Sequence, residues 1–303
     1  MTKVLSPQRW ANDLTTILNT VYKVDRFPVD VKQLATDYSH HRFPDEPVTL
    51  IQGDSLPGFD GALFRAPVGK KGWGIIYNRD IKSEGRINFT LAHEFGHYLM
   101  HREKYPDGIQ CSTQDLVSWE SEYGQIEYQA NVFSAYLLMP FDDFRKQIDP
   151  KTKPTLNDLG ECAERYKVSL VAAILRWLAY TERRSVLVMS RDGFILWARS
   201  STPALKTGAF FRTANRPPVP VPDSSLAAKS SIIGNPTYSA NHDQGIWFSE
   251  SCEEMALVSD QYDFTISLLH LDEKSSSFVS EEEPEEDVIT RMESRALGAS
   301  WLG

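Results

Sequence analysis

The 303-residue sequence predicts an α+β protein: a small antiparallel sheet with two strong helices, then a helical pair, then a β-rich C-terminal region. Three observations carry this. Between residues 48 and 78, short runs rich in β-formers, such as Gly61–Arg65 and Trp73–Tyr77, alternate with Gly, Pro and Lys, the texture of strands and turns. From Asn88 to about Glu103, the residues Phe89, Ala92, Phe95, Gly96, Leu99 and Met100 recur at the spacing of a buried helical face, and a second helix is expected from about Gln125 to Leu138. After residue 185, strand-like runs recur at Val186–Met189, Phe194–Ala198, Ile246–Phe248, Met255–Val258 and Phe264–Leu271.

Taken in order, residues 7–22 and 28–37 read as helices, the second opening at Pro28, whose missing N–H costs nothing in a first helical turn. Met139-Pro140 closes the helix that starts near Gln125, because proline disfavours helix in the residue before it. Leu156–Arg165 and Ser169–Thr181 form a pair with helix-turn-helix texture, Ser169 serving as N-cap of its second member. Arg191, Asp192 and Gly193 between two apolar runs predict a hairpin. Residues 200–244, rich in Pro, Ser, Ala and Asn, read as a long connection with one short helix after Asp223. Val288, Ile289, Met292 and Ala296 trace an apolar stripe in the tail.

Composition narrows the function. The net charge is −9, and residues 276–303 alone hold seven acids against Arg291 and Arg295, so the rest is only mildly acidic. Phosphate binding needs clustered Lys and Arg, and residues 155–184 are nearly balanced, so direct nucleic-acid binding is not expected. Cys111, Cys162 and Cys252 are odd in number and scattered, fitting reduced thiols; with no apolar leader or membrane-spanning run, the expected location is the cytoplasm.

The chemistry is concentrated in His93-Glu94-x-x-His97. On a helix, both imidazoles project from one face about one turn apart, so they can grip one metal ion. Zinc accepts imidazole nitrogen and keeps a position for water in catalytic sites, and Glu94 is placed to take that water's proton. His101 lies eight residues beyond His93, about 12 Å along the axis, too far to close the same site, which leaves it a role behind the ligands or at the surface. Candidates for a third ligand are Glu103, Glu120, Glu122 and Glu127; only Glu127 lies within a strong helix, on the face that continues through Ala130, Asn131, Ser134 and Leu138. Asn131, one turn on, is a candidate to orient a ligating histidine. Tyr98, Tyr128 and Tyr136 are the candidates for assisting an oxyanion, and Trp73–Tyr77 for a sheet edge that pairs with an extended substrate.

Two blocks together, Phe89 to His101 around His93, Glu94 and His97, and Ile126 to Pro140 with Glu127 four residues before Asn131, resemble the ImmA/IrrE family of metallopeptidases. The resemblance covers roughly residues 5–180. It implies a gluzincin-like, Zn2+-dependent endopeptidase with Glu127 as third zinc ligand. The implied substrate is a helix-turn-helix repressor of stress or mobile-element genes. Residues 1–30 have room for only one helix before the peptidase pattern, so that repressor is expected on a separate chain. The expected organisation is a zinc metallopeptidase domain at 1–150, a helix-turn-helix-like segment at 151–184, a β-rich, sensor-like or regulatory domain at 185–275, and an acidic linker and tail at 276–303. The rival reading is a zinc-containing protein that sequesters a repressor or toxin without cutting it.

Overall fold

The computed structural model describes residues 5–23, 26–112, 122–213, 216–229, 238–259 and 264–273. The apolar stripe of the tail and Glu120 lie outside them. The chain divides into two compact units, the first drawn mainly from residues 1–141 with 163–169, the second mainly from 142–162 and 170–292.

In the first unit, α1 (Pro7–Tyr22) is capped by Ser6, whose side chain accepts from the Arg9 N–H. Helix α2 (Val31–Arg42) begins three residues later than expected at Pro28, because the Asp30 carboxylate accepts from the Gln33 N–H and so caps the helix there. Strands β1 (Val48–Asp54), β2 (Phe59–Arg65) and β3 (Trp73–Asn78) follow, then α3 (Glu84–Met100), β4 (Gly108–Ser112) and α4 (Glu122–Leu138). Helix α3 starts four residues before Asn88 because Ser83 accepts from the Arg86 N–H, and it closes at Met100 rather than running to Glu103.

The sheet of this unit has strand order β1-β3-β2-β4. Strand β3 runs antiparallel to β2 but parallel to β1, so the sheet is mixed rather than antiparallel. The order also corrects the expected substrate edge. Trp73–Tyr77 belongs to an interior strand with both sides paired, whereas β4 pairs with β2 alone and leaves an outer edge among the described residues.

Helix α3 packs on β2 and β3 and against α4, while α1 lies against α4. Phe95, Tyr98, Phe133, Trp73, Leu63 and Ile75 are almost wholly buried in this layer. Each large apolar side chain removed from water in this way contributes about 1.5–3 kcal/mol. Close approach of α3 to α4 depends on Gly96: a Cβ there would stand 2.8 Å from Phe133 Cδ1.

The second unit contains most of α5 (Phe141–Gln147), the first part of α6 (Leu156–Tyr166), and α7 (Leu170–Leu178). Lys167, between α6 and α7, adopts a positive φ of 49°. Every residue of α7 from Val171 to Leu178 is buried. Strands β5 (Ser185–Arg191) and β6 (Phe194–Ser200) form the expected hairpin, its turn made by Asp192 and Gly193 at φ 51° and 77°. Helix α8 (Thr202–Lys206), β7 (Val219–Pro220), β8 (Ser239–His242), β9 (Cys252–Ser259) and β10 (Phe264–Leu271) complete a six-stranded antiparallel sheet of order β7-β6-β5-β10-β9-β8.

Two expectations fail here for identifiable reasons. The short helix lies at Thr202–Lys206, capped by Ser201, and residues 223–228 form turns instead. Ile246–Phe248 is not a strand: Trp247 is buried by its side chain, its Nε1–H donating to Glu254 Oε2 at 3.0 Å, so its hydrophobicity reflects a docked loop.

Candidate metal centre

Helix α3 carries His93, Glu94 and His97 on its buried length, and α4 presents Glu127 and Asn131 one turn apart on its own buried face. The close crossing at Gly96 brings these faces together. His93 Nε2 and His97 Nε2 are 2.9 Å apart, and each lies 3.2 Å from a different oxygen of the Glu127 carboxylate. Two ligand atoms held tetrahedrally by one zinc ion are separated by roughly 3.4 Å, from metal–ligand distances of about 2.1 Å. The three side chains are therefore spaced to share one ion. They are the group of His, Cys, Asp or Glu among the described residues that could hold a metal ion.

Hydrogen bonding on the far side of the first ring strengthens that fit. His93 Nδ1 lies 3.0 Å from Asn131 Oδ1. A carboxamide oxygen only accepts, so Nδ1 carries the N–H, and a neutral His93 turns a bare Nε2 toward the carboxylate. Lone pairs then face lone pairs in a buried space, an arrangement that calls for a cation. Without a metal a proton fills the role. Burial alone would lower the His93 pKa, but Glu127, Glu94 and the Asn131 hydrogen bond outweigh it and push it up to about 9. Burial would likewise raise Glu127, yet His97 and His93 hold its carboxyl well below the usual range. His97 is lowered, by burial first and by its neighbour His93.

Glu94 is 1 % exposed and lies under β2. A Cβ at Gly61 of that strand would come within 2.5 Å of Thr90 Cγ2 and 3.0 Å of Glu94 Oε1, so only glycine lets the strand cross so close above the helix. Asp60, the preceding residue, fixes the crossing through a two-pronged ion pair with Arg86 in the first turn of α3, at 2.8 and 2.7 Å.

Residues 47–178 match the family model Peptidase_M78, described as an IrrE N-terminal-like domain. The chain carries an IrrE N-terminal-like peptidase domain. No curated protein matches the chain. The matched span opens just before β1 and ends with α7, so the IrrE-like domain includes both helices of the metal centre and leaves α1, α2 and residues beyond 178 outside it.

His101 sits behind His97, its Nδ1 2.9 Å from that of His97 and its Nε2 3.0 Å from Gln129 Oε1. Burial, then the neighbouring His97, lowers the His101 pKa to about 4, so the ring is neutral at ordinary pH. Glu103 and Glu122 lie apart from the group, Glu103 exposed and Glu122 paired with Lys104. Tyr98 is withdrawn from the oxyanion candidates: it is fully buried and its hydroxyl donates to the Glu46 carbonyl at 2.8 Å. Sequence reasoning missed Gln129 and Gly61, the first two positions past Glu127 on a half-buried face, the second one glycine in a strand with nothing to distinguish it. No described helix is long and apolar enough to cross a membrane.

Proposed function

We propose that the protein is a cytoplasmic zinc-dependent endopeptidase that cuts a separately encoded helix-turn-helix repressor. The observation that carries this reading is the meeting of His93, His97 and Glu127 around one ion-sized space with Glu94 beside it under β2. These residues suit zinc, since imidazole nitrogens and a carboxylate oxygen form one of its catalytic ligand sets. When bound, zinc supplies a Lewis acid that polarises a peptide carbonyl and makes water acidic enough to lose a proton near neutral pH.

Glu94 accepts the proton of the attacking water and returns it to the amine leaving group, the ordinary cycle of a general base that becomes a general acid. Its burial favours that exchange, because a carboxylate out of water has little solvation to lose on protonation. Asn131 holds His93 in one tautomer. The outer edge of β4, unpaired among the described residues, offers backbone groups to an extended polypeptide one strand out from β2, which lies over Glu94. A protein substrate follows from that edge and from the family. The helix-turn-helix repressor follows from the resemblance of the two sequence blocks. Helix α7, buried along its length, has no exposed face to lay in a DNA groove, which favours a peptidase over a DNA-binding regulator.

Incubation of the zinc-loaded protein with helix-turn-helix proteins encoded beside it tests the reading. One is expected to be cut at a single site by the wild type and left intact by Glu94→Gln. Zinc uptake with unaltered partners that bind tightly instead supports sequestration.

A further inference from the structure

The two zinc-facing histidines are oriented by different means, and the second involves a residue outside the metal group. His93 is ordered in one step by Asn131. His97 Nδ1 meets another ring nitrogen, His101 Nδ1, at 2.9 Å, and of two nitrogens at that distance one donates and the other accepts. Which one donates is decided further out, where His101 Nε2 lies 3.0 Å from Gln129 Oε1. The carboxamide oxygen only accepts, so His101 Nε2 bears the N–H. A neutral ring has a single N–H, so His101 Nδ1 is bare and accepts from His97 Nδ1–H. His97 Nε2 is then left as a lone pair, aimed at the space beside Glu127.

We infer that Gln129 and His101 form a proton-ordered relay that fixes His97 in its Nδ1–H tautomer and so presents Nε2 to the metal. Both are positioning residues, and the inference rests on the metal-centre reading above. The order has one direction compatible with metal. If the amide nitrogen of Gln129 faced His101, every proton in the chain would move one place inward, and His97 Nε2, 2.9 Å from His93 Nε2, would carry a hydrogen where the ion belongs. His101 is 4 % exposed, so water does not compete for its nitrogens.

The test uses the full chain with 15N-labelled histidine. Long-range 1H–15N spectra read the tautomer of each ring in the metal-free protein, and chelator competition reads zinc affinity. The expected wild type shows His97 as Nδ1–H and His101 as Nε2–H. Gln129→Met, which keeps the length but removes the acceptor, is expected to mix both tautomers and to weaken zinc binding about 10–100-fold. His97 found as Nε2–H in the wild type, or a Gln129→Met protein with unchanged tautomers and zinc affinity, overturns the relay while leaving the metal centre standing. A wild-type chain that takes up no zinc overturns the metal-centre reading, and the purpose of the relay with it.

Discussion

Each unit of the protein buries a glutamate, and the two are held in opposite ways. Glu254 of β9, fully buried, accepts from the Leu226 and Ala227 backbone N–H groups, His242 Nε2, Trp247 Nε1 and the Ser267 hydroxyl, all within 3.1 Å. Every partner is a donor, so the carboxylate's lone pairs are matched and the site is closed. Glu127, also buried, faces the Nε2 atoms of two histidines, whose other ring nitrogens are held by Asn131 and His101. A proton or a metal ion can be shared between these groups, so the site stays open to exchange. The comparison shows that burial of an acid does not distinguish structure from function. The donor or acceptor character of its partners does.

The largest expected effects break the functional side of this comparison. Glu94→Gln should keep the metal while lowering turnover by about 10²–10⁴-fold, the usual range for a lost general base, as read by rate of substrate cleavage. Glu127→Ala should lose metal and activity yet remain folded by circular dichroism. The structural side breaks differently. Glu254→Ala leaves five donors facing no acceptor and should cost about 3–5 kcal/mol in urea unfolding. If Glu254→Ala were as stable as the wild type, the contrast between the two acids would fail.

Smaller changes sharpen the picture. Gly96→Ala pushes α3 from α4 against Phe133 and should cost about 1–3 kcal/mol, with weaker metal binding because the proposed ligands sit on both helices. His270, in the second unit, gives a pH signature of its own. Burial, with Lys153 nearby, lowers its pKa to about 4, from an unfolded value of 6.5. Between these values the unfolded chain binds the proton and the folded chain does not. Stability from this group is therefore complete above pH 6.5 and is lost as pH falls toward 4, by up to about 3 kcal/mol. Unfolding midpoints measured across that window should fall less steeply for His270→Gln.

The helices of the metal centre were legible because their signals are local: the three-and-four spacing of Phe89 to Met100 and the single turn between His93 and His97 both survive in the structure. The sheet was less so. Pairing β1 parallel to β3 joins Val48 to Trp73 across an intervening strand, and no pattern within either run records its neighbour. Ile246–Phe248 misled because an apolar triplet looks the same in a strand as in a loop pinned by Trp247. The Glu254 cluster gathers residues from four separate stretches of chain, and Gln129 acts through His101 rather than on the metal group itself, so neither leaves a motif. The family match covers residues 47–178, and the sheet of β5 to β10 lies outside it.

The zinc content of the purified wild-type chain and of Glu127→Ala, measured by elemental analysis after dialysis against a weak chelator, tests the metal centre most directly. About one zinc per chain is expected in the wild type and almost none in the variant, which lacks one of three proposed protein ligands. Equal zinc in both would place the third ligand elsewhere and contradict the role given to Glu127.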